Sequence, residues 1–539
     1  MKKNCLFLLF IFLLTSFCPV FAQGNFILID KIGTYLDGDP DADKIRIWEN
    51  YKYIVLEDGT AAIKGYEGDE KEVVIPDLID GTYEVTEIRS FRHNDPDDEF
   101  REYQQNDNGA VNTNTLSITL PDSLRTIEGN PFIFCKYLQQ FTVSESHPVF
   151  EVINGVLFDR ESHKLVSYPV GKEGSSYEIP AGTFSVGGYA FFEASGLNSV
   201  VLPDGMETVG AFSFAQCGDL ASVNFPEGLR TIEDGAFFNC ISLTELKFPD
   251  TLSEIGEAAF MGNTGITSLA LPEGIKTIER QTFSDCYKLE SVSIPDSVTV
   301  ISSGAFENCI HLNSVFISKN VELIGDGAFL HCMRLTDFSV SEENPVYVFM
   351  DGALYDKNKS ALVMYLITSP DETYTIADDT LSIGSYAFSG AVNLTSVNIP
   401  ETVTEIGKYA FQNCLGLTNI DLPESVSRIG SGIFMNCREL VSVNLPKGIE
   451  NIPYESFRGC KSLPSLVIPD GVTTIAGAAF IDADNLKSLT IPASVTDISN
   501  FAFFKFNREG VTITTERGSA AEQFAMALKL DIIYMDENE

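Results

Sequence analysis

The chain is 539 residues long, 44% hydrophobic and 21% charged, the composition of a folded protein rather than a disordered one. Its 36 Lys and Arg stand against 76 Asp and Glu, a formal charge of −40. That excess excludes nucleic acid and anionic membrane surfaces as partners, because neither would meet a basic face.

Lys2 and Lys3 precede an apolar run from Leu6 to Phe17, and Val20-Phe21-Ala22 places branched and small residues where signal peptidase reads. Residues 1–22 are therefore expected to be a secretory signal peptide, cut between Ala22 and Gln23. Lipidation at Cys18 is the weaker alternative, since bulky Phe17 precedes it and Pro19 comes next. Without Lys2 and Lys3 the remaining 34 basic and 76 acidic residues leave −42. No later stretch reaches the ~18 apolar residues of a membrane span, so no membrane insertion is expected.

Residues 23–50 form a leader that the pattern assigns to no element. Within it Asp37, Asp39, Asp41 and Asp43 resemble the start of a calcium loop. Such a loop wants Gly where Ala42 stands and Glu where Trp48 stands, so a plain acidic turn is the better reading and the four Asp are weak metal candidates. Tyr51 to Leu56, Asp58-Gly59 and Thr60 to Lys64 read as a hairpin that caps the N-terminal end of the fold. Residues 92–114, rich in Asn, Asp and Gln, read as an exposed loop.

From Pro121 a 23-residue period takes over. It runs from Pro121 to Ser144, from Pro180 to Ser341, and from Ala377 to Thr515, with Pro76 opening an irregular earlier copy. In fourteen coils Phe stands eleven residues after the Pro position, from Phe132 and Phe191 to Phe480 and Phe503, and Ile or Val stands six after it. One repeat reads Leu-x-x-Val-x-Ile-Pro-x-x-Val-x-x-Ile-x-x-x-Ala-Phe-x-x-Cys-x-x. A unit this short cannot bury its apolar face alone, but stacked copies can. Leu-x-x-Val-x-Ile alternates like a short strand, and Pro ends it because it cannot donate to a ladder. The spacing of Ala-Phe-x-x-Cys suits one turn of helix or 3₁₀ on the opposite side.

Leu-x-x-Val-x-Ile-Pro, continued by Ile-x-x-x-Ala-Phe-x-x-Cys, resembles the BspA-like (Treponema-type) leucine-rich repeat family of bacterial surface proteins, over roughly residues 51–535. The resemblance implies an α/β repeat solenoid. It would be a right-handed superhelix with a parallel β-sheet on its concave face and one-turn helical or 3₁₀ segments on the other side. It also implies a secreted or surface protein that binds proteins, host matrix or other cells.

The two breaks in the period, 144–180 and 341–377, are each one repeat with 13 extra residues, and they are alike. Ser144-Glu-Ser-His-Pro148 parallels Ser341-Glu-Glu-Asn-Pro345, and Asn154-Gly155 parallels Asp351-Gly352. Asn-Gly and Asp-Gly between apolar residues signal tight turns, so each insertion is expected to be a β-hairpin projecting from the stack. The solenoid is taken to span 51–515, and residues 516–539 a C-terminal cap with helical character over Ser519–Leu530.

Residues with chemical potential fall into the same columns. The nine Cys after the expected signal peptide (135, 217, 240, 286, 309, 332, 414, 437 and 460) all stand fourteen residues after the Pro position. That pattern marks a small buried position, with no C-x-x-C for zinc and an odd number that no full disulfide framework can use. Asp or Glu comes directly after most of the Pro positions, as at Asp204, Glu227, Asp250 and Glu273, which is read as a solvated turn where carboxylates cap backbone N–H groups. His311 and His331 are read as exposed turn residues. No H-E-x-x-H, G-x-S-x-G, P-loop or dinucleotide fingerprint occurs, so neither an enzyme nor a cofactor is expected.

Strand positions facing away from the core are mostly small and polar. Ser291, Ser293, Ser314, Phe316, Asp337, Asn398, Asn419 and Asn444 are the ligand-binding candidates on this face, which lacks the Tyr, Trp and Arg of interaction hot spots. These features point to a monomeric, exported, non-enzymatic recognition or adhesion protein for a protein or glycan ligand. The alternative is a structural or spacer protein of the cell envelope.

Overall fold

The computed structural model describes residues 44–89, 114–133, 135–358, 360–504 and 509–535. The chain divides into two units, one of Met1–Ile275 with Glu279–Cys286, the other of Lys276–Ile278 with Tyr287–Glu539. Each is a β-solenoid of stacked coils. The expected signal peptide, the rest of the leader to residue 43 and most of the 92–114 loop lie outside the described residues.

Each regular coil contributes two short strands. In the first unit Ser176–Glu178, Ser199–Val201 and Ser222–Asn224 pair in parallel with partners 23 residues apart, Tyr177 beside Val200 beside Val223. These are the Leu-x-x-Val-x-Ile segments, and their middle residues point inward. A second parallel ladder runs through Ser185–Val186, Thr208–Val209, Thr231–Ile232 and Glu254–Ile255. It is built on the Ile/Val position six residues after Pro, which the sequence marks only as apolar. The second unit repeats both ladders, for instance Asn419–Asp421 with Ser442–Asn444 and Ser382–Ile383 with Glu405–Ile406. Glycine comes after this second strand in some coils, and at Gly407 the preceding coil is close: a Cβ there would lie 2.5 Å from Ser385 N, although Glu233, Ser302 and Ala476 hold the same place elsewhere.

The Phe column is the core. Phe191, Phe214, Phe237, Phe260 and Phe283 stack with centroids 4.6, 5.1, 5.3 and 5.7 Å apart in the first unit. Phe388 to Phe503 do so in the second, from 4.9 to 5.8 Å. These separations suit offset stacked rings, which add to the burial of large apolar surfaces.

The expected one-turn helical or 3₁₀ segment is corrected by the structure: the Ala-Phe-x-x-Cys stretch is a run of turns. Its N–H groups alternate. Ala190, Phe192 and Ala194 donate three residues back, to Gly187, Tyr189 and Phe191. Tyr189, Phe191 and Glu193 donate instead to Ala211, Ser213 and Ala215 of the next coil, at 2.9, 2.7 and 3.0 Å. A helix keeps all its donors for itself; this segment uses half of them to bind the neighbouring coil. The alternation requires left-handed backbone at two positions per coil, and Tyr189 and Glu193 both have φ of 58°.

Both insertions are antiparallel hairpins, Phe150–Ile153 with Val156–Asp159 and Tyr347–Met350 with Ala353–Asp356. Asn154 and Gly155 have φ of 53° and 83°, as a two-residue turn of this kind demands. They do not project from the stack as expected. Val156, Leu157 and Phe158 are buried, and Val156–Asp159 pairs with Lys164–Ser167, which joins the second ladder. An apolar strand with a ladder edge to complete is better placed inlaid than in solvent.

At the N-terminal end Arg46–Trp48, Tyr51–Val55 and Ala61–Tyr66 pair antiparallel in order. At the other end the helix Ala520–Leu528 starts at Ser519, whose hydroxyl accepts from Glu522 N at 3.0 Å. Its Phe524 packs on Phe503, and Asp531–Tyr534 adds a last parallel strand to Thr512–Thr515.

Candidate functional site

All eight candidate ligand-binding residues lie in the second unit, on strands of the first type of ladder. Ser291, Ser314 and Asp337 stand side by side on three successive strands, and Phe316 pairs with Ser339. Asn419 is opposite Ser442, and Asp421 opposite Asn444. Asn398 lies beside Thr375 and donates to its hydroxyl at 3.0 Å. Their alternation with the buried Val315, Phe338, Val397 and Ile420 turns them outward. Phe316 is 53% exposed. The side chains of Ser291, Ser293, Ser314, Asp337 and Asn444 make no hydrogen bond to the described residues, and Asn419 donates only to Thr418 Oγ1. The face is therefore polar with free donors and acceptors: Ser291, Ser293, Ser314 and Asp337 share one sheet with Phe316, while Asn398, Asn419 and Asn444 stand on two further sheets after the second insertion.

Asp37, Asp39, Asp41 and Asp43 lie outside the described residues. Among the described residues no group of three or more His, Cys, Asp and Glu is arranged to hold a metal ion. The acidic column does cap backbone at places: Glu424 accepts from Lys447 N at 3.1 Å.

The nine cysteines are buried and free. They are more than small fillers. Seven of them aim the thiol at the Phe carbonyl of the coil before, as Cys217 to Phe191 O at 3.1 Å and Cys437 to Phe411 O at 3.0 Å. Burial pushes the Cys135 and Cys217 thiols up to about 12, so neither is a thiolate at neutral pH. Asn263 takes the same place with its amide, donating to Phe237 O and Phe260 O, while its own Oδ1 is buried without a partner.

The histidines depart from expectation. His331 is not exposed but buried, its Nδ1 3.1 Å from Asn308 Oδ1 of the coil before, and burial lowers its pKa to about 4. It occupies the second left-handed position of its coil (φ 59°), a column that also buries Asp285 and Asn308. His147, passed over in the sequence, holds the root of the first hairpin. Its Nδ1 accepts from Val149 N and Phe150 N at 3.2 and 3.0 Å, and its Nε2 lies 3.0 Å from Pro121 O. Asn344 does the same for the second hairpin, accepting from Val346 N and Tyr347 N at 2.8 Å and donating to Ser318 O.

One cavity has no signature in the sequence beyond the break in the period. In the first unit a cleft of about 250 Å³ opens between the strand Thr126–Ile127 and the inlaid hairpin, lined by Arg125, Ile127, Phe150, Asp159, Lys164 and Val166. Among the described residues no helix is long and apolar enough to cross a membrane.

Comparison with known proteins agrees with this architecture. The family model of the BspA type leucine rich repeat region matches residues 108–172, 171–262, 230–359 and 373–515. Among solved structures, a leucine rich cell surface protein from Faecalibacterium prausnitzii is 23% identical, covering 89% of this chain and 97% of its own, with a TM-score of 0.43. A leucine-rich repeat protein from Eubacterium ventriosum is also 23% identical, covering 63% and 87%, with a TM-score of 0.46. The pneumococcal vaccine antigen PcpA is 20% identical, covering 91% and 98%, with a TM-score of 0.43. No curated protein matches the chain. The family pattern covers well over half of the sequence and coincides with the stacked coils, so the chain belongs to the BspA-type leucine-rich repeat family.

Proposed function

We propose that this chain is an exported, cell-surface or secreted recognition protein without catalytic activity, which binds a protein or glycan ligand through its repeat scaffold. The observation that carries this reading is the outward grid of the second unit. Ser291, Ser293, Ser314 and Asp337 present polar groups with no partner among the described residues on strands of the same sheet as the exposed ring of Phe316, and Asn444 does so on a separate sheet after the second insertion. Free donors and acceptors of this kind suit a hydroxyl-rich or polar ligand, and repeat scaffolds commonly bind through such a sheet face. Export is supported by the signal-like residues 1–22 and by the family. On this reading the mature chain begins at Gln23, the solenoid spans 51–515 and the cap 516–539.

A structural or spacer role in the envelope is the second reading. What favours it is the scarcity of anchoring side chains, Phe316 being the one aromatic among the eight candidates. The test is a binding screen of the chain from Gln23 against matrix proteins and glycan arrays, with calcium and with EDTA. Saturable binding that Phe316→Ala and Asp337→Ala each weaken by about tenfold is the expected result. No binding at micromolar protein in either buffer supports the spacer role.

A further inference from the structure

The cleft of the first unit lies where the second ladder loses a strand. In most regular coils that ladder is continuous, as where Phe184 O accepts from Glu207 N at 2.8 Å and Val186 O from Gly210 N at 2.9 Å; it also breaks between Arg428–Ile429 and Asn451–Ile452, where Pro453 has no N–H to give. The strand Thr126–Ile127 pairs with Tyr83–Ile88 on one side. On the other side the hairpin intervenes. Arg125 O and Ile127 O, the counterparts of Phe184 O and Val186 O, receive no donor from the described residues.

The second unit has the same interruption, with Glu322 O and Ile324 O also receiving no donor from the described residues, but it closes the N–H. There the hydroxyl of Tyr347 accepts from Ile324 N at 2.9 Å, and the cavity beside it is only about 30 Å³. Tyr347 stands six residues after Ser341, and six residues after Ser144 stands Phe150. Phe150 has no hydroxyl, so the N–H of Ile127, the counterpart of Ile324, has no such acceptor. One insertion is sealed by a phenol; the other is left open with a strand edge exposed.

We propose that this cleft takes a short extended peptide segment carrying an acidic side chain, added as a strand to the edge at Thr126–Ile127. A peptide backbone alternates donors and acceptors at the spacing of the free Arg125 O, Ile127 N–H and Ile127 O. Ile127, Phe150 and Val166 supply an apolar floor. The charges on the rim select the side chain. Arg125 is held by bonds from Nη1 to Asp122 O and Leu124 O, with the rest of its guanidinium free. Lys164 makes no ion pair with the described residues, and Asp159 already accepts from Ser162 N and Oγ. The rim therefore offers two cations against the one carboxylate of Asp159, a net positive spot in a chain of charge −40. This site goes beyond the outward grid and uses a different surface, so its failure would leave sheet-face binding intact.

The test titrates the chain from Gln23 with a positional-scanning library of acetylated, amidated pentapeptides, monitored by fluorescence anisotropy. Pools with Asp or Glu fixed at one position are expected to bind with a Kd of order 10–100 μM. N-methylation of alternate amides in the best peptide is expected to weaken it at least tenfold, because the ladder bonds are lost. Phe150→Tyr is expected to weaken binding at least tenfold while leaving the thermal midpoint unchanged or higher, since Tyr347 occupies the matching place in the second unit. Lys164→Gln is expected to weaken binding several-fold. The proposal is overturned if no pool binds below 1 mM, or if N-methylated peptide or F150Y binds unchanged. It is also overturned if sulfated oligosaccharides bind in a K164Q-sensitive way that no peptide competes, which would assign the cleft to a glycan.

Discussion

At the scale of the residue, equivalent positions do equivalent work with different chemistry. His147 and Asn344 root the two hairpins through the same pair of N–H bonds. The bonds require His147 to keep Nδ1 unprotonated, and burial lowers its pKa below the usual 6.5. A lowered folded-state pKa means that the native state binds the proton less well than the unfolded chain. The stability His147 supplies is therefore complete above the unfolded value near pH 6.5 and is lost as pH falls below it. Asn344 makes its contacts without titrating. His147→Asn is thus expected to fold normally and to lose less stability than wild type between pH 7.5 and 5, as read from urea midpoints at the two pH values. Asn263 is the opposite case, a residue that does its neighbours' task imperfectly. Asn263→Cys removes the orphaned Oδ1 and restores the column residue, and is expected to raise stability by roughly 1 kcal/mol in chemical denaturation.

At the scale of the element, each coil is held by stacked rings, two narrow ladders and the alternating donors of its turn. Truncating one ring removes contacts with both neighbours: Phe411 stacks on Phe388 and Phe434 at 5.1 and 5.8 Å. Phe411→Ala is expected to cost about 3–5 kcal/mol and to speed hydrogen exchange most in the coils on either side. The thiol column lies in the same interior, so a disulfide-exchange reagent is expected to label none of the nine thiols in native protein and all nine in denaturant. Titration of any thiol before unfolding would contradict that. Much of this element was legible in the sequence, because the Phe column and the Leu-x-x-Val-x-Ile alternation are side-chain signals. The turn was legible only in part. Its first left-handed site holds Tyr189, Phe212, Ala258, Gln281 and Glu455 as well as Gly235, Gly304, Gly327 and Gly432, and shows no single preference. Its second mostly holds Asn239, Asp285, Asn308, Asn413, Asn436 and Asp482 with Gly262, Gly390 and Gly459, residues that tolerate left-handed backbone, a signal the sequence carries but the helical reading passed over. The outward face was legible as a polar column. The cleft was not, because Ile127, Phe150 and Lys164 meet only once the insertion is folded.

At the scale of the whole molecule, charge and the insertions set the behaviour. Acidic side chains recur one coil apart, as Asp204, Glu227, Asp250 and Glu273, and like charges at such spacing repel unless screened. Raising sodium chloride from about 20 to 500 mM is expected to raise the thermal midpoint by a few degrees, and an unchanged or lower midpoint would show that this repulsion is negligible. The insertions act on cooperativity. The ladder of Glu72–Val74, Ser117–Thr119 and Gln140–Thr142 ends at the first one, where Phe141 N–H bonds to Gly155 O of the hairpin and the next ladder starts at Ser176. Asp337–Val340 likewise ends before Thr373–Thr375 begins. Under tension, or in a protease-rich setting, a fraying end would therefore peel coil after coil only as far as the nearest inlaid hairpin and pause there. On that expectation the hairpins would act as rip-stops: damage to one stretch of coils would be contained, and the ones beyond it would keep their shape and whatever they hold.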